Sequence, residues 1–241
     1  MIKRLLSLIV FVLALYDYSH SQNSTDDSSS LSDGSIRFGV RAGGIYNTFN
    51  HAQPGTSENF GIGGSFLAEK PISGKISIQG ELSYLQQGGT YTRFTDNTVP
   101  GDLPFLAITS SRINAQYGDL ALLAKYQITQ IDKIIVNVTV GGAFGYNIGV
   151  INKYERTYYD SRMFYTTYGK QMITHLFQPF QVGAVGGLGT EVGVGSKRLL
   201  IDFRYRYGLT PAMKSFSYID LPTVKGDLYT NSFYIMIGLG L

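Results

Sequence analysis

The sequence of 241 residues contains no cysteine and no tryptophan, and only 15% of its residues are charged. Without cysteine there is neither a disulfide framework nor a thiolate metal site. The basic residues are scattered and the net charge is only +3, which gives no patch for nucleic acid. After the N-terminus, no apolar run reaches the roughly 18 residues of a transmembrane helix, so such a helix is excluded there.

Glycine and aromatic residues are plentiful instead, with 29 glycines, 18 tyrosines and 14 phenylalanines. Glycine disfavours helices and aromatic residues favour strands, so this composition with little charge indicates strands rather than helices. The N-terminus has the basic start, short apolar run and small residues of a secretory signal. We therefore predict a cleaved signal peptide at residues 1–21, with an uncleaved anchor as the alternative. A polar, disordered linker at 22–34 and one domain at 35–241 are expected to follow.

From Ser35 onward, apolar and polar residues alternate with a period of two, which predicts β-strands. The clearest case sets Val136, Val138 and Val140 against Asn137 and Thr139. The pattern predicts eight strands, at about residues 36–47, 60–69, 76–84, 110–126, 134–147, 180–192, 199–207 and 233–241. The earlier half of the fourth strand, "SSRINAQYG", has the opposite phase, and we expect a β-bulge near Gly118.

The connections between these strands alternate in length. Three are short: Pro71–Gly74, Thr129–Asp132 and Gly193–Lys197. Four are long: Thr48–Asn59, Thr92–Ser110, Gly149–Phe177 and Leu209–Tyr229. An up-and-down arrangement places all the long loops at one end. Short periplasmic turns opposite long outer loops are typical of bacterial outer-membrane barrels.

The volume inside the barrel decides which face of each strand points outward. Eight strands enclose only a narrow interior, and roughly five large apolar residues per strand would not fit inside it. We therefore predict that the apolar face contacts lipid. We also expect the final strand to close the barrel by pairing with the first near Phe38 and Val40. An aromatic girdle is expected near the long-loop end, formed by Tyr46, Phe60, Tyr84, Phe144, Tyr146, Phe180, Tyr207 and Phe233.

The opposite face carries charges that this orientation turns inward. Since buried charge is costly unless paired, we predict a plug of ion pairs, with a narrow conduction path as the functional alternative. The predicted network comprises five cations and five anions: Arg37, Arg41, Lys125, Arg204 and Arg206 with Glu69, Glu81, Asp119, Glu191 and Asp202.

The third long loop is rich in aromatic and basic residues, a composition that favours protein contacts. Its candidate docking residues are Tyr154, Tyr158, Tyr159, Phe164, Tyr165 and Tyr168. The alternative, compatible with docking, is a hairpin that extends the barrel above the membrane. His51, near Ser57 and Glu58, and His175 are candidates for a loop-based lipid hydrolase. No serine lies in a nucleophile motif, so we assign no catalytic, cofactor-binding or metal-binding residue.

Three stretches carry a family resemblance: "RFGVRAGGIYNTF", "YGDLALLAKY" and "FQVGAVGGLGTEVGVGSKRLLIDFRYRYGLT". The first resembles the first strand of the PorT-like outer-membrane β-barrel proteins of Gram-negative bacteria. The second resembles the strand Y-L-E-I-P-L-L-L-K-Y of that family, and the third resembles its sixth-to-seventh hairpin. The resemblance implies an integral outer-membrane protein, and one branch of the family serves the type IX secretion system.

These observations predict an eight-stranded antiparallel transmembrane β-barrel in the bacterial outer membrane. We expect a structural or interaction protein of the envelope, in contact with outer-membrane lipid and with envelope or secretion proteins through its long loops. A small porin or a barrel for a hydrophobic ligand is the alternative, and the lipid hydrolase is a more distant one.

Overall fold

The computed structural model describes residues 35–50, 56–97, 105–159, 164–213, 216–218, 221–224 and 227–241. The predicted signal peptide and linker lie outside these residues. Within them, no helix is both long enough and apolar enough to cross a membrane. A short 3₁₀ helix spans Thr174–Leu176. The strands are β1 (Arg37–Asn50), β2 (Thr56–Ser57), β3 (Asn59–Ser73), β4 (Ile76–Asn97), β5 (Phe105–Ile131), β6 (Ile134–Tyr159), β7 (Phe164–Met172), β8 (Phe180–Val194), β9 (Lys197–Gly208), β10 (Phe216–Tyr218), β11 (Leu221–Val224) and β12 (Tyr229–Gly240).

Eight of these strands close into an antiparallel barrel, as predicted. Around the barrel they follow the order β4-β3-β1-β12-β9-β8-β6-β5, and β5 pairs with β4 to complete the circle. The last strand meets the first with Val40 opposite Leu239, and the Leu241 amide donates to the Phe38 carbonyl at 2.8 Å. The C-terminal strand therefore has a hydrogen-bonded neighbour on both sides.

The barrel strands are joined at one end by three two-residue turns, which match the predicted short connections. They comprise Gly74 with Lys75, Asp132 with Lys133, and Gly195 with Ser196. Asp132 and Gly195 have positive φ angles of 50° and 60°, which residues of these types tolerate in a tight turn. We call this the turn end, and the opposite end the loop end.

The outer surface between these ends is apolar, and its side chains are exposed. Leu122 is 65% exposed and Phe60 is 75% exposed. All eight residues of the predicted girdle lie on this outer surface and are exposed. Tyr84 and Tyr146 lie on either side of Gly118 in adjacent strands, so they mark one level of the barrel. A continuous apolar band of this kind is suited to hydrocarbon rather than to water.

Above the girdle, the structure differs from the predicted loops. Two of the predicted long loops, Thr92–Ser110 and Gly149–Phe177, are largely strand, because β4, β5 and β6 continue well past Gly118. β7 pairs with the upper part of β6 and forms a hairpin. This hairpin corresponds to the alternative in which the third loop extends the barrel. β2 adds to β4, while β10 and β11 form a separate two-stranded sheet.

A β-bulge does occur near Gly118, as predicted, but its extra residue lies in β6 and not in β5. β5 pairs with β4 without interruption from Tyr126 to Phe105, and the irregularity occurs in β6. Gly149 lies opposite Gln116 and Asn147 lies opposite Tyr117, which leaves Ile148 as the extra residue. The change in the sequence pattern of β5 is instead an exchange of polarity between its two faces.

This exchange takes place at the girdle. Below it, β5 turns apolar residues such as Leu122 outward and charged residues such as Asp119 inward. Above it, Ile113 and Tyr117 are buried inside, while Arg112 is exposed on the outside. The backbone alternation continues, but the outer surroundings change from hydrocarbon to water. Part of the upper interior is therefore apolar, as in a water-soluble β-structure.

A cluster of apolar side chains, which we call the apolar cap, lies in the upper interior. Buried polar side chains such as Gln87 and Asn152 lie at the same level. Strands β1, β5 and β6 contribute to the apolar cap, together with the segments that follow β7, β9 and β11. The cap consists of Phe49, Ile113, Ala115, Tyr117, Val150, Ile173, Phe177, Ala212, Met213 and Leu228. Backbone bonds from Gln178 to Ala212 and from Ala212 to Leu228 hold these segments across the loop end.

A pair of arginine substitutions tests the position of the membrane boundary. Val140 lies near mid-strand on the outer surface of β6, and Thr166 lies exposed on β7 above the girdle. We expect Val140→Arg to lower the free energy of unfolding by about 2–4 kcal/mol, because it places a charge in hydrocarbon. Thr166→Arg faces water and is expected to change it by less than about 0.5 kcal/mol.

The measurement is urea unfolding of both variants in lipid vesicles. Equal losses of stability in the two variants would contradict the boundary at the girdle.

Candidate functional site

The interior below the girdle is crossed by ion pairs between strands. Nearest the turn end, Lys125 on β5 binds Glu69 on β3 at 2.8 Å and also contacts Glu191 on β8. Arg198 on β9 contacts the second oxygen of Glu191. The Ser77 hydroxyl donates to Glu69 at 2.8 Å. Each carboxylate in this layer therefore has at least two donors.

The middle layer joins opposite sides of the barrel. Arg41 on β1 binds Glu81 on β4 at 2.5 Å and contacts Asp202 on β9. Arg204 binds the same two carboxylates, at 2.7 Å and 3.3 Å. The Arg41 Nε also donates to Ser65 Oγ at 3.3 Å. Two guanidinium groups and two carboxylates thus form one closed cluster across the lumen.

The third layer lies at the level of the girdle, where Arg206 binds Asp119 at 2.7 Å. Gly145 allows this pair to form. A Cβ at position 145 would lie 2.7 Å from Asp119 Oδ1 and 3.3 Å from Arg206 Nη2. The small residue on the inner face of β6 therefore leaves the space that the ion pair occupies.

The three layers are electrically balanced. The carboxylates of Glu69, Glu81, Asp119, Glu191 and Asp202 match the cations of Arg41, Lys125, Arg198, Arg204 and Arg206. Charges taken out of water need such pairing, and removal of one partner of a buried pair costs about 3–5 kcal/mol. Neutrality and dense hydrogen bonding therefore explain how a lumen inside hydrocarbon holds ten charges.

One residue that was predicted to belong to the network lies outside it, and one residue of the network was not predicted from the sequence. Arg37 is partly exposed at the start of β1, and within the described residues it forms no ion pair. Arg198 occupies the corresponding place near the turn end. It lies on the same face of β9 as Asp202, Arg204 and Arg206, so extending their alternation by two steps would have identified it.

Two small cavities lie between the layers, among the residues that the structure describes. A cavity of about 10 Å³ lies beside Lys125 and Asp202, and one of about 30 Å³ lies beside Asp119, Arg206 and Tyr234. A water molecule needs roughly 10–15 Å³ measured in this way. The two cavities can therefore hold single waters or a pair, and neither forms a continuous channel.

The predicted docking residues lie on the β6–β7 hairpin. Tyr158 and Tyr165 face each other across the two strands and stack with ring centroids 4.8 Å apart. The Arg156 guanidinium lies 5.9 Å from the Tyr154 ring centroid and 6.0 Å from that of Tyr158. The structure thus brings Tyr154 and Tyr158 together around one arginine, with Tyr165 stacked on Tyr158.

The remaining docking candidates lie further toward the hairpin tip or on its outer face. Tyr159 and Phe164 pair at the last described position of the hairpin, and Tyr168 is 76% exposed. Phe164 and Tyr165 are exposed as well. The hairpin therefore presents a mixed aromatic and basic surface beyond the girdle.

Within the described residues, the candidates for a hydrolase lie on separate elements. His51 lies outside the described part of the chain. His175 is exposed on the short 3₁₀ helix, whereas Ser57 and Glu58 are exposed at β2. Among the described residues, no group of three or more histidine or acidic side chains is placed to hold a metal ion.

The closed sheet, apolar outer band, aromatic girdle and charged lumen together define an outer-membrane β-barrel. A family described as "Outer membrane protein beta-barrel domain" matches residues 20–214, and the chain belongs to this family. A comparison with curated proteins gives no match.

Two solved structures are similar to the chain. Ail, the attachment invasion locus protein of Yersinia pestis, has 10% identity and a TM-score of 0.36, and the match covers 85% of this chain and 98% of that one. Neisserial surface protein A has 10% identity and a TM-score of 0.41, with 86% and 96% covered.

Two arginines on the inner face of β1 test the contribution of the charge network. Arg41→Ala leaves Glu81 and Asp202 short of a partner, and we expect a loss of about 3–5 kcal/mol in the free energy of unfolding. Arg37→Ala is the matched control, and we expect a change below about 0.5 kcal/mol.

Denaturant unfolding in detergent micelles, followed by tyrosine fluorescence, measures both variants. A loss of stability in Arg37→Ala as large as that in Arg41→Ala would show that the ion pairs are not what stabilises this strand.

Proposed function

We propose that this protein is a non-conducting interaction protein of the outer membrane, and that its working surface is the loop end. The observation that carries the proposal is the filled interior. Three layers of ion pairs cross the lumen, and the apolar cap lies above them. A barrel with no passage acts through what it presents at its surface.

The β6–β7 hairpin is the part of that surface best suited to a protein partner. Aromatic and arginine side chains dominate the energetic centres of protein interfaces. Here Phe164, Tyr165 and Tyr168 are exposed, and Arg156 lies against Tyr154 and Tyr158. The stacked Tyr158 and Tyr165 restrict the motion of these rings before binding, which lowers the entropic cost of association.

We further propose that the protein belongs to the PorT-like group and acts as an accessory to envelope assembly or secretion. The stretches that resemble that group fall on β1, β5 and the β8–β9 hairpin. Export through a cleaved signal at residues 1–21, followed by a linker at 22–34, is part of this proposal. No catalytic role and no cofactor are assigned to the protein.

Single-channel recording in planar bilayers tests the closed interior. We expect no discrete conductance steps, because charged side chains and the apolar cap occupy the lumen. An open porin reconstituted in the same bilayer is the control for insertion. Reproducible ion-selective steps from the folded barrel would instead favour the small porin.

Site-specific photocrosslinking in native outer membranes tests the docking role. A photoreactive residue at Tyr168 is expected to give a discrete protein adduct, because this side chain faces outward above the girdle. The same probe at Ser196, which is exposed at the turn end, is the matched control. Purification and mass spectrometry then identify the adduct.

Two results would count against a hairpin docking site. One is the same adduct from both positions, and the other is the absence of an adduct from Tyr165 and Tyr168 alike.

A further inference from the structure

Three cations form a row on the outer face of the upper sheet. Arg112 on β5 lies directly opposite Lys153 on β6, and Lys153 lies directly opposite Lys170 on β7. Directly opposite residues in adjacent antiparallel strands share a face, with Cβ atoms about 4.5–5.5 Å apart. All three side chains are exposed. We call these residues the basic row.

The basic row has no counter-charge in the described part of the chain. None of its three members takes part in an ion pair there. The nearest acidic residue on the same face is Glu155, two positions beyond Lys153, and it is likewise not bound to any of the three. Like charges directly opposite each other destabilise a sheet. The arrangement therefore costs stability in the isolated protein and is relieved when an anion binds.

The height of the basic row above the membrane narrows the choice of anion. Arg112 is six residues beyond Gly118, the β5 position at the level of the girdle. At about 3.3 Å per residue and a tilt near 40°, the row lies roughly 15 Å above the girdle. A phospholipid headgroup layer extends only about 5–8 Å beyond the hydrocarbon. The row therefore lies above the phosphates of ordinary phospholipids.

The basic row is nevertheless continuous with the lipid-facing surface. The next row toward the girdle on the same face contains Ile151 and Met172, and Met172 is 71% exposed. The next row away from it contains the exposed ring of Tyr168 and, directly opposite it, Glu155. A ligand at the basic row is thus flanked by apolar surface on the side of the membrane and by a flat aromatic ring above.

We propose that the basic row binds phosphate groups on the sugar headgroup of a glycolipid in the outer leaflet. Such a headgroup projects beyond the phospholipid layer while its acyl chains contact the apolar band below. Its phosphates accept charge-assisted hydrogen bonds from the guanidinium and the two ammonium groups. This proposal concerns lipid at the outer face of the hairpin base and does not depend on the proposed docking of a protein.

The test compares two triple variants that remove equal charge. Arg112→Gln/Lys153→Gln/Lys170→Gln removes the basic row. Lys75→Gln/Lys133→Gln/Lys197→Gln removes three exposed lysines at the turn end. Both variants and the wild type are reconstituted in phospholipid nanodiscs and titrated with purified lipopolysaccharide. The parallel titration uses lipopolysaccharide whose phosphates have been removed with hydrofluoric acid.

We expect the basic-row variant to bind intact lipopolysaccharide about 10- to 100-fold more weakly than the wild type, through the loss of three charge-assisted contacts. The turn-end variant should bind like the wild type, and removal of the phosphates should weaken wild-type binding to the level of the basic-row variant. A soluble sugar phosphate should compete only weakly, because it lacks the acyl chains.

Thermal unfolding in the same nanodiscs provides a second measurement that also reports on folding. Without lipopolysaccharide, the basic-row variant should be at least as stable as the wild type, because three like charges are gone. Added lipopolysaccharide should raise the melting temperature of the wild type but not that of the basic-row variant. The proposal is overturned by equal binding of the two triple variants, by equal binding of the dephosphorylated lipid, or by equal binding of anionic phospholipid alone.

Discussion

The whole structure depends on one constraint, which is that hydrocarbon offers no hydrogen-bond partner to a backbone amide or carbonyl. A sheet in that medium must close, and the pairing of β1 with β12 meets this requirement. Closure with eight strands then fixes a lumen too narrow for anything but side chains. The glycines and ion pairs of the inner face are the consequence, because large apolar residues occupy the outside.

The surroundings also decide which face of a strand is apolar. A single strand, β5, turns Leu122 to lipid below the girdle and Ile113 to the interior above it. Its pairing with β4 continues without interruption between these residues. The upper barrel can thus be regarded as a small water-soluble β-structure built on the same strands, with a core of its own in the apolar cap. Stability in the two halves has different origins, which are ion pairing below and burial of apolar side chains above.

Much of this arrangement could be predicted from the sequence, because a period of two directly reports the side of a strand. The eight barrel strands, their lipid-facing side chains and nearly all the inward charges follow from it. Alternation does not report whether a face meets lipid or water. The reversed phase of residues 110–118 therefore suggested a bulge, whereas it marks the point where β5 leaves the membrane. The pairing of particular charges was also beyond reach. The contact of Arg41 with Asp202 depends on how the closed barrel places β1 relative to β9.

That contact has a consequence for the order of assembly. Arg41 and Asp202 are 161 positions apart, and Asp119 and Arg206 are 87 apart. Strands in the first half of the chain therefore carry charges whose partners lie on β9, near the C-terminus. A partly formed sheet would hold Arg41 with half of its counter-charge, in a medium that strongly disfavours such a group. Insertion and closure are thereby coupled into a late, cooperative step, and a chain truncated before β9 has no low-energy place in the membrane.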